Sequence, residues 1–146
     1  MGFIVSFYRM PAVDAALRDR LIEEHRSLDE HFGHFLAAAT GGDAAAAARA
    51  IGEFDGMLRR HTAEEEERLL AAPSSRLVAA ENEAPRERLH RELRLEHVQV
   101  RELSAMIRRL LDERGDVAGA LRLAGNLARR WDAHTAREER ELFPAD

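Results

Sequence analysis

Apolar residues recur along this chain every three or four positions, the spacing of one face of an α-helix. Leu17, Leu21, Leu28, Phe32 and Phe35 share such a face in the first run, with His25 among them. A second run aligns Phe54, Met57 or Leu58, His61, Glu65 and Leu69. A third aligns Leu93, His97, Val100, Ile107 and Leu111, and a fourth Leu123, Leu127, Trp131, His134, Glu138 and Leu142. No strand-like alternation of useful length interrupts them.

Breakers divide these runs. Pro11 and Asp14 precede the first helix, predicted over about 14–39. "TGGD" at 40–43 ends it and supplies Asp43 as N-cap for a second helix reaching about Ala72, before Pro73. Residues 73–84 read as a linker with room for a short turn, and Pro85 suits the first turn of a third helix ending near Arg114. Gly115 and Asp116 lead into a fourth, to about Leu142. Two short breaks and one modest linker predict an all-α, up-down-up-down four-helix bundle over 14–146, preceded by an arm, 1–13.

Each apolar stripe carries a histidine, and two carry a carboxylate as well. Buried charge is costly unless paired or bound to metal. One core histidine would be ordinary; four on four helices need a joint explanation. Folding the first two helices about "TGGD" puts His25 about 16.5 residues before the turn's centre and His61 about 19.5 after it. Folding the last two about Gly115 puts His97 18 before and His134 19 after. At roughly 1.5 Å rise per residue, all four fall within about one helical turn of a common level. Glu65 follows His61 by four and Glu138 follows His134 by four, so both carboxylates stand one turn further toward the same end.

The halves also repeat. "LIEEH" at 21–25 matches "LRLEH" at 93–97 with offset 72, and "HTAEEE" at 61–66 matches "HTAREE" at 134–139 with offset 73. A pseudo-two-fold bundle would give one metal His25 and His61 and the other His97 and His134, with Glu65 and Glu138 bridging. Imidazole plus carboxylate without thiolate suits iron, manganese or zinc, and two bridging carboxylates favour a redox pair such as di-iron. The repeat also sorts the glutamate run. Glu64 faces Arg137 in the second copy and so does not read as a ligand, whereas the Glu66–Glu139 match has no role assigned by spacing.

Composition narrows the classes. With 146 residues, 45% hydrophobic and 34% charged, the chain suits one globular domain. A net charge of -5 without a basic patch excludes nucleic acid as the expected partner. The absence of Cys removes disulfides, thiolate sites and cysteine catalysis, and leans toward a reducing cytoplasm. "MGFIVSFYRM" is too short for a membrane span and lacks a signal-peptide layout; its start formally fits the myristoylation pattern, and the plain expectation is an apolar arm across the domain.

"LIEEHRSLDEHF", "HTAEEEERLL", "LRLEHVQVREL" and "HTAREERELFP" together resemble the hemerythrin-like (HHE cation-binding) family over about 14–144. That resemblance implies a four-helix bundle around an oxygen-bridged di-iron centre, with His25, His61, His97 and His134 as terminal ligands and Glu65 and Glu138 as bridges. Oxygen-carrying hemerythrins have a second histidine on the third helix; here the flanking positions are Leu93 and Arg101, and the chain looks more like four-histidine iron-sensing relatives. The function so implied is binding of dioxygen, peroxide or nitric oxide for sensing, storage or detoxification. Alternatives are a peroxidase- or oxidase-type enzyme at the same site, and a metal-binding or plain helical module without catalysis.

Other polar residues read as support. His90, two turns before His97, is too far to share its metal and is expected as an outer partner or surface residue. "ERLH" at 87–90 matches the Glu-x-x-His element of ferritin-like bundles, but only one copy is present where two are needed. His31 and His34 read as structural or solvent-facing. Glu64, Glu66 and Glu67 read as a solvated face beside Arg59, Arg60 and Arg68, while one of Glu24 and Glu96 is a candidate to orient an imidazole. Trp131, Phe32, Phe35, Phe54 and Met57 are expected to fill the core.

Overall fold

The computed structural model describes residues 14–70 and 83–144. Helices make up 90% of them, and no strand occurs among the described residues. The elements are α1 (Ala15–Thr40), α2 (Ala44–Arg68), α3 (Pro85–Arg114) and α4 (Val117–Arg137), followed by a π-helical turn, Glu138–Leu142. The arm 1–13 with its myristoylation-like start, and the expected turn inside the linker, lie outside the described residues.

Local chemistry explains the helix ends. The carboxylates of Asp14, Asp43 and Asp116 accept from the backbone N–H groups of Ala16 (3.1 Å), Ala46 (3.0 Å) and Gly119 (2.8 Å), satisfying donors that a first turn leaves free. α3 instead opens on Pro85, which has no N–H to satisfy. Gly42 (φ 75°) and Gly115 (φ 57°) take the left-handed conformation that ends α1 and α3 without a Cβ penalty. Two ends differ from expectation. α2 stops at Arg68 because the N–H groups of both Leu69 and Leu70 close on the Glu65 carbonyl (2.9 and 3.0 Å). The fourth helix widens after Arg137, and Phe143 N–H reaches back five residues to the Glu138 carbonyl (2.8 Å).

The four helices pack against each other in a ring: α1 lies on α2 and α4, and α3 lies on the same two. The larger apolar core joins Leu28, Phe32, Phe35, Ile51, Phe54, Leu58, Ile107, Leu127 and Trp131. A smaller one joins Leu17, Leu21 and Phe143. His25 sits between them on α1. Of the expected stripe positions, Met57, Leu69, Leu123 and Leu142 are only half-buried, Leu69 and Leu142 against the smaller core. Leu58, the alternative to Met57 on that stripe, is fully buried in its place. Ala120 and Ala124, in line with Leu127 and Trp131, fill the buried face in place of Leu123. No helix among the described residues is long and apolar enough to cross a membrane.

One buried charge has no counterpart in the expected pattern. Asp55 on α2 is 1% exposed. It accepts from the Ser104 hydroxyl of α3 (2.8 Å), from Arg59 Nε (3.0 Å) and from Arg108 Nη1 (3.3 Å). The cluster ties α2 to α3, the two helices whose connection is longest. Asp55→Ala leaves the Ser104 hydroxyl buried without its acceptor, and should destabilise the fold by about 2 kcal/mol. A urea midpoint equal to wild type would remove this cluster as an inter-helix tie.

Candidate metal centre

Four imidazoles and two carboxylates meet in the layer between the two apolar cores. His25 comes from α1, His61 and Glu65 from α2, His97 from α3, His134 from α4, and Glu138 from the first position of the π-helical turn. All six are buried, and both carboxylates are 0% exposed. The i,i+4 spacing of His61–Glu65 and of His134–Glu138 sets each pair on one helix face, as expected. The six therefore come together as the stripe pattern predicts.

Every imidazole turns Nε2 inward. His25 Nε2 lies 3.2 Å from Glu138 Oε1 and 3.6 Å from Glu65 Oε1. His61 Nε2 is in contact with Glu65 Oε1, and His134 Nε2 is 2.9 Å from Glu138 Oε1. His97 Nε2 is 3.3 Å from Glu65 Oε2 and 3.8 Å from Glu138 Oε2. Two groups of four ligand atoms result: His25, His61, Glu65 and Glu138, and His97, His134, Glu65 and Glu138. Within each group the atoms lie within 4.8 Å of one another. The two glutamates are common to both, so either group could hold a metal ion and the carboxylates could bridge the pair. The four Nε2 atoms and all four carboxylate oxygens are buried and find no partner in hydrogen-bonding geometry. Buried polar atoms are ordinarily satisfied; this crowding of orphaned nitrogen and oxygen atoms fits cations with such ligands.

The outward Nδ1 atoms meet a second set of carboxylates. His61 Nδ1 faces Glu24 (3.4 Å), His134 Nδ1 faces Glu96 (2.8 Å), and His25 Nδ1 faces Glu139 (3.4 Å). His97 Nδ1 faces Glu66 at a longer 3.8 Å. With the proton held on Nδ1, the Nε2 lone pair points to the centre. Both Glu24 and Glu96 act in this way, each on the histidine of the neighbouring helix rather than on the one beside it in sequence. Glu66 is not part of a solvated face, as its run suggested. It supports His97 and pairs with Arg101 (3.1 Å). The Glu66–Glu139 match thereby acquires its role: the two glutamates back His97 and His25 at equivalent places. Spacing alone could not show this, because each partner lies on another helix.

The remaining candidates fall outside the centre. His90 is buried rather than surface-exposed. It lines a cleft of about 1110 Å³ with Leu17, Leu142 and Phe143, where burial and the charges of Arg86 and Arg94 lower its pKa. Glu87 and His34 are exposed and Glu67 faces solvent, whereas His31 is half-buried, 3.6 Å from Glu53. Glu64 pairs with Arg20 and Arg68, and Arg59 with Asp55. Trp131 closes one side of the site, its ring 5.5 Å from that of His25, 6.2 Å from His61 and 5.9 Å from His134. Its Nε1–H donates to Asp29 (2.9 Å), and Phe143 stands 6.4 Å from His25 on the other side.

Comparison of the chain with protein-family profiles, with curated proteins and with solved structures found no match.

Electrostatics set the behaviour of the metal-free site. Burial by itself would lower the histidine pKa values, but the Glu138 and Glu65 carboxylates outweigh it and raise His25 to about 10 and His97 to about 11. For Glu65, burial and the Glu138 carboxylate raise the pKa and the His25 and His61 imidazoles outweigh them; for Glu138, burial raises it, and the contacts with Glu65, His134, His25 and His97 outweigh that to leave it well below the usual carboxylate range. The sign follows from linkage. A raised histidine pKa stabilises fully below the unfolded value of 6.5, and that contribution is lost as pH climbs through about 10 and 11. The metal-free protein should therefore melt at a lower temperature at about pH 9 than at about pH 7. Divalent-metal affinity should rise over the same interval, with protons released on uptake. A melting temperature that climbs toward alkaline pH in the metal-free protein would contradict the ion-paired site.

Proposed function

We propose that this chain is a hemerythrin-like protein: an up-down-up-down four-helix bundle holding a di-iron centre that binds dioxygen, peroxide or nitric oxide, for sensing, storage or detoxification in the cytoplasm. The observation that carries the proposal is the pair of buried four-atom ligand groups sharing Glu65 and Glu138. The resemblance of "HTAEEEERLL" and "HTAREERELFP" to that family supports iron over zinc or manganese.

When bound, a reduced iron pair supplies electrons to a small oxidant. The protein's own residues prepare the place for it. His25 and His61 would hold one ion and His97 and His134 the other, each through Nε2. Glu65 and Glu138 would span the two and offset their charge. Glu24, Glu66, Glu96 and Glu139 hold the imidazoles in orientation from outside. Trp131 and Phe143 flank the site with apolar rings on two sides. Leu93 is fully buried and apolar, and Arg101 turns to Glu66 and Thr62. Neither adds a fifth imidazole, so sensing or detoxification fits the donor set better than reversible carriage.

Protein expressed with ample iron should carry two irons per chain and show ligand-to-metal charge-transfer absorption when oxidised. Absence of both metal and colour would defeat the proposal. Glu65→Ala and Glu138→Ala each remove an inner ligand common to both ions, and should cost more than the roughly 10- to 100-fold in affinity typical of losing an outer partner, strip iron from the chain and lower its melting temperature. Metal content and melting equal to wild type in both variants would leave a plain helical bundle.

A further inference from the structure

The inner ligands obey a pseudo-two-fold repeat, but the charges around them do not. With the offsets of 72 for α1 to α3 and 73 for α2 to α4, Arg94 on the second half falls where Ile22 stands on the first. Likewise Arg101 falls where Asp29 stands, and Arg137 where Glu64 stands. At three equivalent places the His97–His134 side thus has three cations, and the His25–His61 side has one neutral residue and two anions. Other pairs run the opposite way, among them Arg20 and Glu92, Arg59 and Asp132, and Arg68 and Glu141, but Arg20, Arg59 and Arg68 pair with Glu64 or Asp55 and not with a carboxylate that backs an imidazole.

These arginines touch the carboxylates that back the imidazoles. Arg101 Nη1 lies 3.1 Å and Arg94 Nη1 3.8 Å from Glu66, behind His97. Arg137 Nη1 lies 2.8 Å from Glu96, behind His134, and also pairs with Glu92 and Glu141 farther out. On the other side, Glu24 and Glu139 contact His61 and His25; Arg20 acts on Glu24 only through its charge, and neither carboxylate forms an ion pair with an arginine among the described residues. A carboxylate engaged by a guanidinium has less negative charge to share with the imidazole N–H in front of it. The cations also repel a metal ion directly, and burial limits solvent screening between them.

Resting on the di-metal proposal above, we infer that the two metal positions are inequivalent: the His25–His61 position takes the first ion and stabilises the more highly charged one, and Arg94, Arg101 and Arg137 set the difference. A pseudo-symmetric ligand set alone would make the positions equal. The electrostatic frame makes loading ordered.

Cobalt(II) added anaerobically to the metal-free full chain, followed by visible absorption and equilibrium dialysis, tests this. Two uptake steps are expected, separated on the order of tenfold or more in affinity. His61→Gln should abolish the tighter step and His134→Gln the weaker one. Arg101→Gln combined with Arg137→Gln leaves all six inner ligands in place, and should tighten the second step about tenfold while leaving the first unchanged. Uptake of two equivalents in one step, or loss of the tighter step in His134→Gln rather than His61→Gln, would overturn the inequivalence alone. An unmoved second step in the double arginine variant, with two cobalt ions still bound, would remove the arginines as its cause and overturn the inference. No cobalt uptake in wild type would overturn the di-metal proposal itself.

Discussion

Two carboxylates stand between two apolar cores, and much of the layout follows from the need to satisfy them. Glu65 and Glu138 have no solvent contact, and an isolated buried carboxylate costs at least several kcal/mol. The helices answer with four imidazoles, one from each, at distances that permit either shared protons or shared cations. That requirement fixes the level at which all four helices must register. It also splits the core into a large cluster around Phe32, Phe54 and Trp131 and a small one around Leu17, Leu21 and Phe143. Polar groups in such a layer are an unstable compromise unless every member is satisfied, and metal ions would satisfy all eight inward atoms at once.

The repeat shows how one half can be copied while its surface is rewritten. Glu64 pairs with Arg20; at the equivalent places Arg137 pairs with Glu92. The bridge between neighbouring helices is kept and its charges are exchanged. This explains why a glutamate beside the bridging Glu65 becomes an arginine in the second half: the position faces outward to a partner, not inward to the centre. The exchange has a secondary effect, since it brings Arg137 against Glu96 and makes the outer environments of the two histidine pairs differ.

The π-helical turn serves the same centre. As with Glu65 and Glu66 on α2, successive Glu138 and Glu139 point about 100° apart, one to the centre and one to a neighbouring histidine. Here the wider turn begins at Glu138. Glu138 faces the centre, Glu139 backs His25 on α1, and Phe143 packs in the small core beside that same histidine. The two halves share the same five-residue closure here, Leu70 N–H on the Glu65 carbonyl and Phe143 N–H on that of Glu138. α2 ends just beyond Glu65, with Leu69 and Leu70 both bonded to its carbonyl, whereas α4 loosens into the π-helical turn.

Much of this was legible in the chain itself. The helical spacing of apolar residues, Asp43, Pro85 and Gly115 at the breaks, and a histidine on every apolar stripe determine four packed helices and the six inward residues, because a buried face can tolerate such groups only together. The repeat distinguished Glu65 from Glu64 for the same reason. Tertiary structure alone decided the outer layer. Glu24 supports His61 and Glu96 supports His134, although each adjoins a different histidine in sequence. Glu66 leaves its acidic run to meet His97, Asp55 is buried by Ser104 from another helix, and the last turn opens into π geometry. Sequence periodicity reports which side of its own helix a residue occupies. It does not report which residue of the next helix stands opposite, and a carboxylate's role depends on that partner.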